Sequence, residues 1–209
     1  MKKKSVYLIL AGIFLSAFVI FSMFIKKFNP AYFDFDTTVR IQNHTPKRLD
    51  SFLSFLSLIG SFEVMSVFLI LTIAIFSRKI KSIFLIIFYG AGHLLEIFGK
   101  VFLNHPGPPF LFFRYDLGLY FPSSYVQTGS SYPSGHSFRT IFLLTVLTFF
   151  IFKSKKIKPA TKFFLISAFT IISAVMLFSR ISLGEHWTSD VVGGTLLGLG
   201  MGGLAIFFI

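Results

Sequence analysis

Six long apolar runs dominate this chain and constrain its fold more than any other feature. Each is close to the ~20 apolar residues that a helix needs to cross a bilayer, and they lie at about 5–25, 52–76, 82–103, 134–152, 163–183 and 190–209. More than half of all residues are hydrophobic and only eight are acidic, which is typical of membrane proteins. The sequence predicts an all-α integral membrane protein, in which residues 1–209 form one domain, a six transmembrane helix bundle.

Lysine and arginine cluster in three segments and predict the orientation of the bundle. If the six helices alternate in direction, these clusters share one side: they are the N-terminal MKKK, residues 77–82 and residues 153–162. Because basic loops stay in the cytoplasm, we expect a multi-pass plasma-membrane protein with a cytoplasmic N-terminus and a first helix that is not cleaved as a signal peptide. The outer loops are then 26–51, 104–133 and 184–189. Positive charge spread over short loops argues against a nucleic-acid surface.

The unusual polar residues all fall at the predicted outer ends of the helices. Lys100 ends the third run, the sequence PSGH at 133–136 begins the fourth, and SRISLGEHWTSD at 179–190 joins the fifth to the sixth. An ionisable group at membrane depth costs on the order of 2.5–3.5 kcal/mol, so several at one level indicate a functional site. We therefore expect the active site at the outer ends of the helices.

The start of the fourth run has the features of an anion site. Proline in the first turn of a helix loses no backbone hydrogen bond, and the small Ser134 and Gly135 leave the next amides accessible. Lys100 and Arg180 would add the positive charge and the forked donors that a phosphate group prefers. The sequence thus predicts phosphate binding by Lys100, Ser134, Gly135 and Arg180.

Two histidines and an aspartate provide the catalytic candidates. His186 and Asp190 are four residues apart, so if the sixth helix begins near Trp187 the carboxylate can hold one ring nitrogen of His186. The other nitrogen is then free to act as a nucleophile, and His136 can protonate a leaving oxygen as a general acid. The chain has no cysteine, HExxH, Walker loop or aspartate-rich cluster, so we expect no metal and no cofactor.

These motifs resemble those of the type 2 phosphatidic acid phosphatases, the lipid phosphate phosphatases with the signature KxxxxxxRP, PSGH and SRxxxxxHxxxD. The second motif is intact at 133–136 and the third at 179–190, and the six-helix layout extends the resemblance to the whole chain. The resemblance implies that Lys100, Ser134, Gly135 and Arg180 bind phosphate. It also implies that His186 forms a phosphohistidine, Asp190 orients it and His136 protonates the leaving group.

The first motif departs from the family pattern, because Gly107-Pro108 stands where Arg-Pro is expected. Two arginines could replace the missing cation: Arg114 in the same loop, or Arg139 one turn into the fourth helix. We favour Arg139 because a helix fixes its reach, against the alternative that it extends to lipid headgroups. On the third helix, His93, Glu96 and Lys100 share one stripe, which suggests that Glu96 supports Lys100. His44 and His105 are assigned no role.

The expected function is metal-independent hydrolysis of a lipid phosphate or diphosphate at the outer leaflet. Undecaprenyl diphosphate, phosphatidylglycerol phosphate and phosphatidic acid are all candidate substrates, and the loops 26–51 and 104–133 are expected to select among them. Two alternatives are a catalytically impaired lipid-phosphate binder or transporter and an intramembrane serine protease using Ser134. The expected partners are the bilayer and the lipid substrate. In the sixth helix, Gly194, Gly198 and Gly202 predict close helix packing or, alternatively, a homodimer.

Overall fold

A computed structural model describes residues 2–76, 80–122 and 129–209 of the chain. The described residues form eight α-helices and no strand; the helices are α1 (Lys2–Phe28), α2 (Ala31–His44), α3 (Asp50–Ile59), α4 (Phe62–Phe76), α5 (Ile83–Phe102), α6 (Gly135–Lys153), α7 (Pro159–Ser182) and α8 (Thr188–Phe208). Residues 77–79 of the second basic cluster and residues 123–128 of the long outer loop lie outside the described residues.

The predicted all-helical membrane fold is confirmed. Within the described ranges, five helices are long and apolar enough to span a bilayer, and the bent pair α3–α4 makes a sixth span if the pair is counted as one. Their lipid-facing sides carry exposed large apolar residues such as Ile9, Ile20 and Ile75. The first outer segment, predicted as a loop over 26–51, instead contains α2, and α1 extends to Phe28.

The second predicted span, over 52–76, is a bent one, because the helix breaks between α3 and α4 with a bend of 55°. Gly60 ends α3, and its carbonyl accepts a hydrogen bond from Arg139 Nε at 3.2 Å. A Cβ at Gly60 would lie 3.0 Å from both the His136 ring and Met176 Sδ. The break therefore brings the Gly60 backbone close to the start of α6. In a continuous helix this carbonyl would be used in the helix's own hydrogen bonds.

Helix α8 is the central helix, and its glycines let the neighbouring helices approach closely. A Cβ at Gly194 would lie 2.3 Å from Ser134 O, one at Gly198 2.7 Å from Phe138 O, and one at Gly202 3.0 Å from Thr145 Cβ. The predicted close packing is thus made with α6 of the same chain. The alternative of a homodimer through the sixth helix stays a prediction, and it would need a face of α8 other than the one that α6 covers.

The bundle brings four helix termini together at one end. The C-terminal ends of α5 and α7 lie beside the N-terminal ends of α6 and α8, as the predicted alternation requires. Helix α2 covers these termini: Gln42 donates to Ser182 O at 3.0 Å, and the hydroxyls of Thr37 and Thr188 are 3.0 Å apart. Buried polar side chains are concentrated at this end of the molecule.

Candidate active site

His186 is held in a short turn between α7 and α8. Gly184 in this turn has φ of +67°, and a Cβ there would lie 2.1 Å from Phe112 O, so glycine is required on both counts. The carbonyl of Arg180 accepts hydrogen bonds from the amides of Glu185 and His186, each at 3.0 Å. The backbone that carries the imidazole is therefore fixed by the end of α7.

Asp190 contacts His186 as the sequence predicts. Its Oδ2 lies 3.3 Å from His186 Nδ1 and accepts a hydrogen bond from the Trp187 amide at 2.9 Å. An Nδ1–H that faces the carboxylate leaves the lone pair on Nε2, which is the tautomer a nucleophile needs. Burial lowers the pKa of His186; the bond to Asp190 opposes this effect, and the charges of Arg180 and Lys100 add to it.

The first turn of α6 is tied to α8 and to α5. Ser134 is the N-cap residue, whose Oγ accepts from Ser137 N at 3.4 Å and whose amide donates to Asp190 O at 3.0 Å. A Cβ at Gly135 would lie 2.0 Å from Glu96 Oε1, so glycine alone lets this carboxylate reach the start of α6. The two small residues of the second motif therefore allow three helices to meet.

Glu96 is the centre of a buried charge cluster. Its carboxylate accepts from Lys100 Nζ at 2.8 Å, contacts His93 Nδ1 at 3.1 Å and accepts from Arg139 NH1 at 3.4 Å. The predicted stripe of His93, Glu96 and Lys100 is thus confirmed as a set of contacts. Because a buried carboxylate with several donors restrains them, Lys100 and Arg139 are held together at Glu96.

Arg139 lies inside the protein, with 7% of its side chain exposed, so the alternative that it extends to lipid headgroups is wrong. Besides Glu96 and Gly60 O, it contacts His136 Nδ1 through NH2 at 3.3 Å. A guanidinium can only donate, so His136 Nδ1 accepts and a neutral ring carries its proton on Nε2. General-acid catalysis by His136 stays a prediction, and it requires that Nδ1 be released from Arg139 when the ring is protonated.

Arg180 is buried at the end of α7. Its NH1 donates to Glu185 Oε2 at 2.6 Å and to Ser57 Oγ, while its buried Nε has no hydrogen-bond partner among the described residues. Ser57 in turn donates to Glu185 Oε2 at 2.9 Å. Sequence reasoning missed Glu185 and Ser57; the acid, five residues after Arg180 in a chain with few acids, was the available signal.

Arg114, the other proposed substitute for the missing arginine, is engaged elsewhere. Its guanidinium binds Asp50 at 2.7 and 3.0 Å and donates to the carbonyls of Gln42 and Thr45 at 3.2 and 3.1 Å. All three partners belong to α2, to α3 or to the connection between them. Arg114 therefore links α2 to α3, and of the two arginines only Arg139 contacts His136.

Two further residues at this end were missed by sequence reasoning. His105, which was assigned no role, is buried beside Ser189, with Nε2 and Oγ 3.1 Å apart. Asp34, on α2, is fully buried and accepts from both the amide and the hydroxyl of Ser189. No motif marks either residue, because their partners are distant in the sequence.

The comparisons with known proteins agree on one family. The profile of the PAP2 superfamily matches residues 80–209. Phosphatidylglycerophosphatase B of Bacillus subtilis (strain 168) is 32% identical over 73 residues, which are 35% of this chain and 36% of that protein. This alignment therefore spans about a third of the length of the curated relative.

Two crystal structures share the fold. The transmembrane PAP2 type phosphatidylglycerolphosphate phosphatase from Bacillus subtilis matches over 94% of both chains, with a TM-score of 0.76 and 18% identity. Aquifex aeolicus LpxE matches with a TM-score of 0.61 and 26% identity, over 83% of this chain and 94% of that chain. The similarity thus extends beyond the motifs to nearly the whole helical bundle.

Proposed function

This chain belongs to the PAP2 superfamily, as its motifs predict, and from that premise we propose that it hydrolyses a membrane lipid phosphate or diphosphate through a phosphohistidine. The observation that supports this most is the arrangement of the His186–Asp190 pair. It lies at the same end of a membrane-spanning bundle as His136 and the cations of α5, α6 and α7. A nucleophile, a proton donor and several cations are the groups that phosphoryl transfer needs.

The proposed first step is attack on phosphorus by the His186 Nε2 lone pair. The bond from phosphorus to the lipid oxygen breaks, and the leaving oxygen takes the Nε2 proton of the His136 imidazolium, whose Nδ1 keeps its hydrogen. Asp190 stabilises the positive charge that develops on the His186 ring, since its Oδ2 faces Nδ1 at 3.3 Å. In the second step, water attacks the phosphohistidine, His136 accepts a proton of that water, and inorganic phosphate leaves with His186 restored.

Donors for the phosphoryl oxygens would come from Arg180, Lys100 and Arg139. Arg180 Nε is buried and without a hydrogen-bond partner in the described part of the chain, so it can donate without breaking a bond. Lys100 and Arg139 share the Glu96 carboxylate, which holds them ready while partly neutralising their charge. In this arrangement Arg139 supplies the cation that is missing at Gly107.

The proposed substrates are lipids with a phosphate headgroup at the outer leaflet. The phosphatidylglycerophosphatase relative supports phosphatidylglycerol phosphate, and a polyprenyl diphosphate such as undecaprenyl diphosphate or phosphatidic acid has the same reacting group. The basic clusters support the outer location, because loops rich in lysine and arginine favour the cytoplasmic side of the membrane and these clusters lie at the opposite end of the bundle. The loops 26–51 and 104–133 would select the lipid.

The test is phosphate release by purified protein in detergent, with a panel of these three lipids in the presence of EDTA. We expect turnover of at least one lipid, and no turnover by His186→Ala. Labelled substrate should leave acid-labile phosphate on the parent and none on His186→Ala. Activity that disappears in EDTA and returns with magnesium would overturn the mechanism. A parent that binds these lipids without turnover would instead support the impaired binder or transporter.

A further inference from the structure

Asp190 uses only one of its carboxylate oxygens for His186. Its Oδ2 faces the imidazole and the Trp187 amide, whereas its Oδ1 is buried and accepts no hydrogen bond from any described residue. A buried carboxylate oxygen without a donor is costly, and the ion it belongs to needs a compensating charge. His105 Nε2 lies 3.6 Å from this oxygen, on the side of Asp190 away from His186.

The hydrogen bonds around His105 determine where its proton is. Ser189 Oγ gives its hydrogen to Asp34 Oδ2 at 2.6 Å, so toward His105 Nε2, 3.1 Å away, the hydroxyl can only accept. Nε2 therefore carries a hydrogen. It lies among Ser189 Oγ, Asp34 Oδ2 at 3.5 Å and Asp190 Oδ1 at 3.6 Å, all of which are acceptors.

His105 is also fixed by its backbone. Its amide donates to Ser130 Oγ at 3.1 Å, and its carbonyl accepts from Ser131 N at 2.9 Å. Burial acts to lower the pKa of His105, but the carboxylates of Asp34 and Asp190 outweigh it and raise the pKa. The two carboxylates therefore favour the protonated form of the ring, and one of them, Asp190, also contacts His186.

We propose that His105 is a positioning residue for the reaction: its ring is the ion-pair partner of the Asp190 oxygen that His186 leaves free, and its Nε2–H is donated to Ser189, which Asp34 holds in turn. This inference rests on the proposed function of His186 as the nucleophile. The chain His186, Asp190, His105, Asp34 runs from the start of α8 through the long loop to α2. Through it, α2 is coupled to the nucleophile although none of its residues is in a motif.

Removal of the His105 charge has a predictable effect on His186. The charged and titratable groups that face His105 and His186 from the surrounding elements are Asp34 on α2, Lys100 on α5, His136 on α6, Arg180 on α7 and Asp190 on α8. In His105→Gln the side-chain amide can still donate a hydrogen bond to Ser189, but the positive charge beside the carboxylates of Asp34 and Asp190 is removed. Imidazolium formation at His186 then becomes easier, and its pKa should rise, on the order of one unit for the loss of one nearby charge.

The experiment is an NMR titration of histidine-labelled protein in detergent micelles. The chain has five histidines, and the His186 and His105 signals are identified by their absence in the His186→Asn and His105→Gln variants. In the parent, His105 should titrate above the ordinary 6.5 and His186 below it. His105→Gln should raise the His186 midpoint by about one pH unit, whereas the exposed His44→Gln should leave it unchanged.

Turnover provides a second readout. In His105→Gln, KM should stay within about two-fold of the parent, and the acid limb of kcat/KM should move to higher pH with the His186 midpoint. A parent His105 that titrates below 6.5, or a folded His105→Gln in which the His186 midpoint does not move, overturns the proposal. If the parent protein hydrolyses none of the lipids, the proposed function is refuted instead. The titrations still test the contact of His105 with Asp190, because they do not depend on turnover.

Discussion

Replacement of Arg139 by alanine should lower kcat/KM for the lipid substrate by roughly ten- to a hundred-fold. The guanidinium contacts His136, Glu96 and Gly60 O, and in the proposed mechanism it supplies the cation that is missing at Gly107. A charge-assisted hydrogen bond is worth ~1.5–3 kcal/mol, which gives this range if the bond is made in the transition state.

The same substitution also has a cost in stability, which the structure bounds. Loss of one partner of a buried ion pair typically costs about 3–5 kcal/mol when the other charge is abandoned. Here Glu96 keeps Lys100 at 2.8 Å and His93 at 3.1 Å, so we expect a smaller loss. Arg139→Lys, which keeps the charge but not the forked donors, should fold better and have intermediate activity.

The assay is phosphate release by variants whose thermal unfolding in detergent has been measured. Arg40→Ala is the matched control, because this arginine is 74% exposed and pairs only with Asp36 among the described residues. Gly107→Arg in the Arg139→Ala background should recover part of the activity, since a Cβ there would be 3.4 Å from Ser131 Cβ, an ordinary contact. A folded Arg139→Ala protein within about three-fold of the parent would refute the reasoning, since a transition-state bond should cost more.

Three other predictions follow from the site and the packing. Because His186 must be neutral to attack and its pKa is lowered, kcat/KM should fall with decreasing pH only below 6.5; a midpoint above 7 would contradict this. Gly198→Ala should lower the unfolding temperature, as overpacking costs about 1–3 kcal/mol, whereas Gly12→Ala, with open space, should not; equal effects would argue against α6–α8 contact. In this cysteine-free chain, Gly118→Cys should react with an impermeant thiol reagent from outside and Lys156→Cys only after permeabilisation, and the reverse result would invert the topology.

Much of the fold and the contact between His186 and Asp190 follow from local sequence. Bilayer thickness dictates the length of an apolar helix, so five spans were located to within a few residues at most ends. The contact of His186 with Asp190 follows from a spacing of four residues at a helix start, and the stripe of Glu96 and Lys100 from the same helical period. Within one helix, distances in sequence and in space are nearly equivalent.

Only the tertiary structure decided the contacts between distant segments. The buried Arg139 donates a hydrogen bond to the Gly60 carbonyl at the helix break, and these two residues are 79 positions apart in the sequence. Asp34 and His105 meet at Ser189 because α2 folds over the bundle, although the chain around them reads as an outer loop. Hydropathy reports how a segment partitions into lipid, but it does not encode which buried polar group satisfies which other one.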